Sequence, residues 1–96
     1  MGIDEILLEK REEILKIARH HGADQVRVFG SVARGDARPD SDIDLLVRPG
    51  LKTSAWFPAG LVLDLEDLLG RKVDVLTETA LHWYIRDRIL SEAVPL

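Results

Sequence analysis

Two kinds of hydrophobic pattern run along this chain. In three stretches apolar residues recur every third or fourth position, as in an amphipathic helix, and in three others they alternate with polar residues, as in a half-buried strand. The first pattern predicts helices over residues 4–20, 59–69 and 79–93, and the second predicts strands over residues 25–29, 42–47 and 72–76. A short helix is also expected at residues 32–34. The expected fold class is therefore α/β (α+β), a small mixed sheet backed by helices.

Aromatic residues occur in two places whose burial the pattern leaves open. Trp56 and Phe57 lie in a predicted loop, where they either fold back over the sheet or mark an interface. Trp83 and Tyr84 are adjacent on the last predicted helix, so we expect one ring to pack inward and the other to lie near the surface. The buried stripe of that helix is expected to comprise Leu81, Tyr84, Ile85 and Ile89.

Length and charge narrow the function classes. Ninety-six residues suffice for one compact domain, so residues 1–96 are expected to form a single one. The formal net charge of −4 argues against direct nucleic-acid binding, which requires cations that neutralise phosphates. The absence of cysteine excludes disulfides and zinc–thiolate sites, and no apolar run is long enough for a membrane span. We therefore expect a cytoplasmic protein with no membrane partner.

Two carboxylates interrupt the second predicted strand. Residues two apart in a strand point to the same face, so Asp42 and Asp44 share one face while Ile43 and Leu45 point to the other. Neighbouring carboxylates repel each other unless a cation lies between them, and Mg²⁺ prefers such hard oxygen ligands. Taken alone the pair is a weak signal, because a solvated strand edge has the same pattern.

A third carboxylate, Asp74, interrupts the apolar strand at residues 72–76. An unpaired buried carboxylate would be costly there, so the residue either faces solvent on a half-exposed strand or joins a polar site. If this strand pairs beside the second one, Asp74 joins Asp42 and Asp44 around one or two metal ions. We interpret the three aspartates as candidate catalytic and metal-binding residues.

The end of the first predicted strand has the features of a phosphate site. The chain turns from Phe29 through Gly30 and Ser31, which exposes backbone N–H groups and a hydroxyl, and glycine permits close approach of a ligand. Arg34 follows three residues later and either reaches a phosphate or is solvated. Gly30, Ser31 and Arg34 are therefore candidate nucleotide-binding residues, although a simple turn would contain the same Gly-Ser pair.

Taken together, these segments resemble the signature of the DNA-polymerase-β-like nucleotidyltransferase superfamily. Residues 29–36 have the sequence FGSVARGD, residues 41–47 have the sequence SDIDLLV, and ten residues separate Ser31 from Asp42. The run after Gly-Ser is similar to that of the MNT branch, the minimal nucleotidyltransferases that are usually paired with HEPN-domain proteins. The resemblance covers essentially the whole chain and includes the acid at position 74.

The resemblance implies a fold, a reaction and a partner. The fold would be that of polymerase-β-like nucleotidyltransferases, and the reaction a transfer of AMP from ATP with two Mg²⁺ ions. Asp42 and Asp44 would hold the metal that bridges the triphosphate, and Asp44 and Asp74 the second, with Asp74 assisting deprotonation. The partner would be a HEPN ribonuclease toxin modified on a tyrosine, which makes this chain an antitoxin.

Two alternatives remain open on the residues alone. One is an antitoxin that blocks its partner by contact and has an idle active site. The other is a transferase for a small molecule such as an aminoglycoside, which generally needs an additional helical domain. A homo-oligomer is also possible.

Overall fold

The structure, a computed structural model, describes residues 5–38 and 41–96. The elements in chain order are α1 (Glu5–Glu9), α2 (Arg11–His20), β1 (Ala23–Phe29), α3 (Gly30–Arg34), β2 (Ile43–Pro49), α4 (Ala59–Leu69), β3 (Val73–Thr77), a 3-10 turn (Glu78–Ala80), α5 (Trp83–Glu92) and β4 (Val94–Pro95). The predicted fold class is confirmed, and the predicted boundaries of the strands lie within two residues of those observed.

Four strands form one mixed sheet in the order β3-β2-β1-β4. Strand β1 pairs antiparallel with both β2 and β4, whereas β2 and β3 run parallel. The connection between parallel strands needs a crossover, and α4 supplies it. This order places β2 inside the sheet, with β1 on one side and β3 on the other.

The two faces of the sheet have different environments. Alternate residues of β2, such as Ile43, Leu45 and Val47, are fully buried in a core shared with α1, α2 and α4. Residues of the opposite parity face away from that core, among them Asp44 and Leu46. Helices therefore cover one face, and the other face carries the aspartates.

The first predicted helix is interrupted. Its predicted start, Asp4, lies outside the described residues, and Lys10 separates α1 from α2 with ψ near +9°. Hydrogen bonds continue across the interruption, because the Lys10 N–H donates to Ile6 and the Ile14 N–H donates to Lys10. Leu7 and Ile14 are seven residues apart and are both buried, so the apolar pattern is the same with or without this local change.

The C-terminal segment differs more from the prediction. The helix begins at Trp83 rather than near residue 79, and none of its residues is fully buried. Trp83 is 85% exposed and Tyr84 is 67% exposed, so the expectation that one ring packs inward is wrong, as is the placement of Tyr84 in a buried stripe. Ile85 and Ile89 are half-buried instead, because α5 contacts α3 rather than lying across the core.

The chain then adds a short strand that no pattern predicted. Strand β4 pairs with β1, and the N–H of Leu96 donates to the carbonyl of Val26. Leu96 is almost fully buried and joins the core.

Of the aromatic pair in the loop before α4, Trp56 is exposed and Phe57 packs against the core. Across the described ranges, no helix has the length and apolar character to cross a membrane.

Candidate active site

The parallel pairing of β2 and β3 brings two of the predicted aspartates together. Asp44 and Asp74 are direct partners in the strand register, so their side chains leave the same face of the sheet at neighbouring positions. Asp42 immediately precedes β2, two residues before Asp44 and half-buried. Asp74 itself is exposed and lies on the edge strand β3.

Asp44 is the most perturbed of the three carboxyl groups. Its pKa is raised above the ordinary value, first because burial disfavours the charged form and then because Asp74 and Asp42 carry like charges nearby. Arg34 acts in the opposite direction on the same pKa, and Glu92 adds a further negative charge. The three aspartates therefore share one electrostatic environment centred on Asp44.

Gly30 brings the predicted phosphate turn against this carboxylate. Phe29, the last residue of β1, pairs with Asp44, and Gly30 follows with φ near +75°. A Cβ atom at this position would lie 2.2 Å from Oδ2 of Asp44. Both the left-handed backbone and the close approach require glycine. The structure thus joins the predicted Gly-Ser turn to the predicted aspartates, which lie far apart in sequence.

A cleft of about 390 Å³ lies between α3 and α5. Gly30, Ser31, Arg34 and Asp44 contribute to its lining, so all three predicted nucleotide-binding residues face the same space as the central aspartate. Its volume falls within the range of about 300–1,000 Å³ that is usual for small-ligand sites. The cleft is therefore large enough for a small ligand held by polar groups from α3.

The opposite wall of the cleft consists of residues that the sequence did not single out. Helix α5 contributes Ile85, Ile89, Arg88 and Glu92 to the lining. The Glu92 carboxylate accepts hydrogen bonds from the Gly30 N–H at 2.6 Å and from Arg34 Nη1 at 2.9 Å. The apolar pattern predicted that α5 packs on the core, and no local motif marks Glu92 as a partner of a turn 62 residues away.

The donor set fits Mg²⁺, although it is not a preassembled cage. Among residues 5–38 and 41–96, no three His, Cys, Asp or Glu side chains are grouped closely enough to hold an ion by themselves. Mg²⁺ usually takes one or two carboxylates and completes its shell with water and substrate phosphates. Asp44 and its neighbours have the required chemistry, because a cation would offset the burial and the like charges that raise the pKa of Asp44.

The chain is similar to known proteins along nearly its whole length. Residues 11–96 match the nucleotidyltransferase domain family. A Methanocaldococcus jannaschii protein, provisionally named a protein adenylyltransferase, is 42% identical over 94 residues, which cover 98% of this chain and 97% of that protein. The protein adenylyltransferase MntA of Thermococcus cleftensis is 35% identical, with 93% of this chain and 95% of that protein covered.

Solved structures agree with the fold. One that is provisionally described as a minimal nucleotidyltransferase has a TM-score of 0.85 and 49% identity, covering 96% of this chain and 94% of that one. A toxin–antitoxin crystal structure with AMP-PNP has a TM-score of 0.74 over 88% of this chain and 69% of that one, and at 20% identity it supports the fold alone. The chain therefore belongs to the nucleotidyltransferase domain family and is a nucleotidyltransferase with the minimal nucleotidyltransferase fold.

Proposed function

We propose that this chain is a Mg²⁺-dependent protein adenylyltransferase. It transfers AMP from ATP to a hydroxyl group, that of a tyrosine on a HEPN-domain ribonuclease toxin, and so acts as an antitoxin. Residues 1–96 act as one domain in this proposal. The names of the two archaeal relatives support protein adenylylation, and the likeness to a toxin–antitoxin structure is compatible with a toxin as acceptor.

One observation carries the proposal: Asp44 touches both halves of the site. It packs against Gly30 of the phosphate turn and is the register partner of Asp74. A triphosphate bound along Gly30, Ser31 and Arg34 would therefore lie beside carboxylates that can share its metal ions. Separate placement of the turn and the aspartates would not allow this reaction.

The chain's own residues would mainly position the substrates and neutralise their charge, since phosphoryl-type transfer requires little covalent chemistry from the protein. Backbone N–H groups near Gly30, the Ser31 hydroxyl and the Arg34 guanidinium would hold phosphate oxygens. Two Mg²⁺ ions held by Asp42, Asp44 and Asp74 would, when bound, stabilise charge on the triphosphate and acidify the acceptor hydroxyl.

The transfer is an in-line substitution at the α-phosphorus. The acceptor oxygen forms a bond to phosphorus as the bond to the α–β bridging oxygen breaks, and the electron pair of that bond leaves with pyrophosphate. The hydroxyl proton would pass to a carboxylate, and Asp74 is our candidate. Its exposure and its register with Asp44 support this role. An exposed Asp74 also suits an acceptor that arrives from solvent on another protein.

The test is incubation of this chain with its candidate HEPN-domain toxin, α-labelled ATP and Mg²⁺. We expect label on the partner, and we expect Asp42→Asn, Asp44→Asn and Asp74→Asn to lower the labelling rate by about 100-fold or more. Asp67→Asn is the matched control, because Asp67 is an exposed aspartate on α4 that does not line the cleft. It should label the partner at the wild-type rate.

Three outcomes distinguish the candidate functions. Labelling of the partner that depends on the three aspartates supports the proposal. Neutralisation of the toxin that survives in the Asp42→Asn and Asp44→Asn variants, without labelling, would instead identify an antitoxin that acts by contact. Label found only on small molecules, such as aminoglycosides, would identify a transferase of another substrate class.

A further inference from the structure

Glu92 lies where the proposed function requires a phosphate. Its Oε1 atom accepts hydrogen bonds from the Gly30 N–H at 2.6 Å and from Arg34 Nη1 at 2.9 Å. The side chain is only 21% exposed, so this carboxylate is held inside the cleft rather than in solvent. Two donors that the triphosphate would use are therefore already paired with an anion supplied by α5.

The negative charge of Glu92 disfavours an anionic ligand in the cleft, as its position also does. Burial and the charges of Asp74 and Asp42 raise the pKa of Asp44, and the charge of Glu92 adds to them. Glu92 also lines the cleft with Asp44 and Arg34. A second acid, Asp36, accepts from Arg34 Nε at 3.4 Å, which leaves the guanidinium shared between two carboxylates. A ligand with several negative charges must therefore displace the Glu92 carboxylate from these two donors. It is also repelled by the charge of that carboxylate.

We propose that Glu92 is an internal anion that competes with the nucleotide, so that triphosphate binding displaces its carboxylate from Gly30 and Arg34. The inference rests on the proposed function, because it takes these donors as the phosphate-binding groups. Displacement has a structural consequence: the contact that joins α5 to α3 through Glu92 is exchanged for a contact with the ligand. The same residue therefore limits nucleotide affinity and holds α5 against α3 when no nucleotide is bound.

The experiment measures equilibrium binding of α,β-methylene-ATP with Mg²⁺ by calorimetry, since the bond that breaks in the reaction is blocked in this analogue. Glu92→Gln keeps the shape of the side chain and removes its charge, and Glu92→Ala vacates the position. We expect both variants to bind the analogue about fivefold more tightly than the wild type, which corresponds to about 1 kcal/mol.

Asp87→Asn is the matched control. Asp87 is an exposed acid on the same helix and does not line the cleft, so its removal changes the net charge equally. It should leave the affinity within about twofold of the wild-type value, since solvent and salt screen an exposed charge. Thermal unfolding of each variant checks that the fold is retained.

The outcomes separate this inference from the proposed function. Tighter binding in both Glu92 variants and not in Asp87→Asn supports it. Equal or weaker binding in the Glu92 variants, with normal binding by the wild type, overturns the inference and leaves the proposed function intact, with Glu92 then holding the turn in place. Absence of binding in the wild type and in every variant overturns both.

Discussion

A Cβ atom on Gly30 would lie 2.2 Å from Oδ2 of Asp44 and 3.1 Å from its Cγ. The carboxylate of Asp44 therefore occupies the space that a side chain at position 30 would take. This relationship links the end of β1 to the start of β2, because Phe29 and Asp44 are paired residues. The glycine is required by the carboxylate beside it as well as by its own backbone.

Gly30→Ala should inactivate the protein with only a modest loss of stability. The new methyl group would push the Asp44 carboxylate aside, and a displacement of about 1 Å at a reacting centre costs on the order of 100-fold in rate. The positive φ adds a strain of about 1 kcal/mol in unfolding free energy. Rate is measured by adenylylation of the partner and stability by denaturant unfolding.

Gly70→Ala provides the control for the backbone term. Gly70 ends α4 with φ near +64°, and an added Cβ would meet no atom within 4 Å. We expect a similar loss of about 1 kcal/mol without any loss of rate. If both alanine variants lost activity equally, displacement of Asp44 would not be the cause.

Asp44→Asn should stabilise the protein in the absence of metal while lowering the rate of transfer by about 100-fold or more. The pKa of Asp44 is raised, so the folded state binds its proton more tightly than the unfolded state does. The associated stability is present below the ordinary carboxyl pKa and is lost as the pH rises through the raised value. At neutral pH the ionised Asp44 therefore lowers the unfolding free energy of the wild type, and asparagine removes this loss. The loss is about 0.5 kcal/mol for a half-exposed group screened by solvent.

The pH dependence provides the check on this explanation. Denaturant unfolding in the presence of a chelator should give the Asp44→Asn advantage at pH 7. The advantage should disappear as the pH falls below the ordinary carboxyl pKa of about 3.9, where the wild-type carboxyl is protonated in both the folded and the unfolded state. Asp67→Asn, at an exposed site on α4, should have no such advantage. An advantage that persisted unchanged at low pH would mean that charge is not its source.

The sequence predicted the part of the site that local rules determine. Period-two alternation placed Asp42 and Asp44 on one face, and the interruption of an apolar strand singled out Asp74; the register of β2 with β3 then set Asp44 beside Asp74. The sequence did not predict that these two strands pair; Asp74 joins the site only if they do. The order of strands in a sheet depends on the whole core, which a single segment does not encode.

The sequence did not predict the surroundings of α5, because amphipathic spacing does not specify what a helix packs against. Its apolar residues are spaced as if they faced a core, yet Ile85 and Ile89 line the cleft and Tyr84 is mostly exposed. Amphipathic periodicity reports that a helix has an apolar side, and it does not distinguish a core from the wall of a binding site. For the same reason Glu92 was missed, since its partners Gly30 and Arg34 are distant in sequence.

Arg34→Ala should weaken binding of α,β-methylene-ATP by about tenfold or more. Hydrogen bonds from a cation to phosphate oxygens are stronger than those between neutral groups, and Arg34 lies in the cleft. The carboxylate of Asp36 raises the pKa of Arg34, so the guanidinium stays cationic at working pH. Arg38→Ala is the control, because Arg38 is exposed and does not line the cleft. Equal affinity of the two variants would exclude Arg34 from phosphate binding.

Two adjacent histidines should differ sharply in their effect on stability. His21 is 8% exposed, and its ring joins two elements: Nδ1 lies 2.6 Å from Ser54 Oγ, and Nε2 lies 2.6 Å from Asp64 Oδ2 on α4. His21→Ala removes both hydrogen bonds and leaves a void, so we expect a loss of about 2 kcal/mol in unfolding free energy. His20 is exposed, and His20→Ala should cost less than about 0.5 kcal/mol.

The same pair of variants tests whether this cluster is independent of the cleft. His21 does not line the space between α3 and α5, so His21→Ala that remains folded should bind α,β-methylene-ATP with wild-type affinity. Denaturant unfolding of both variants at one pH gives the stability difference, and calorimetry below the unfolding temperature gives the affinity. Equal stability of the two variants would mean that the bridge from His21 to Ser54 and Asp64 does not hold the loop before α4 in place.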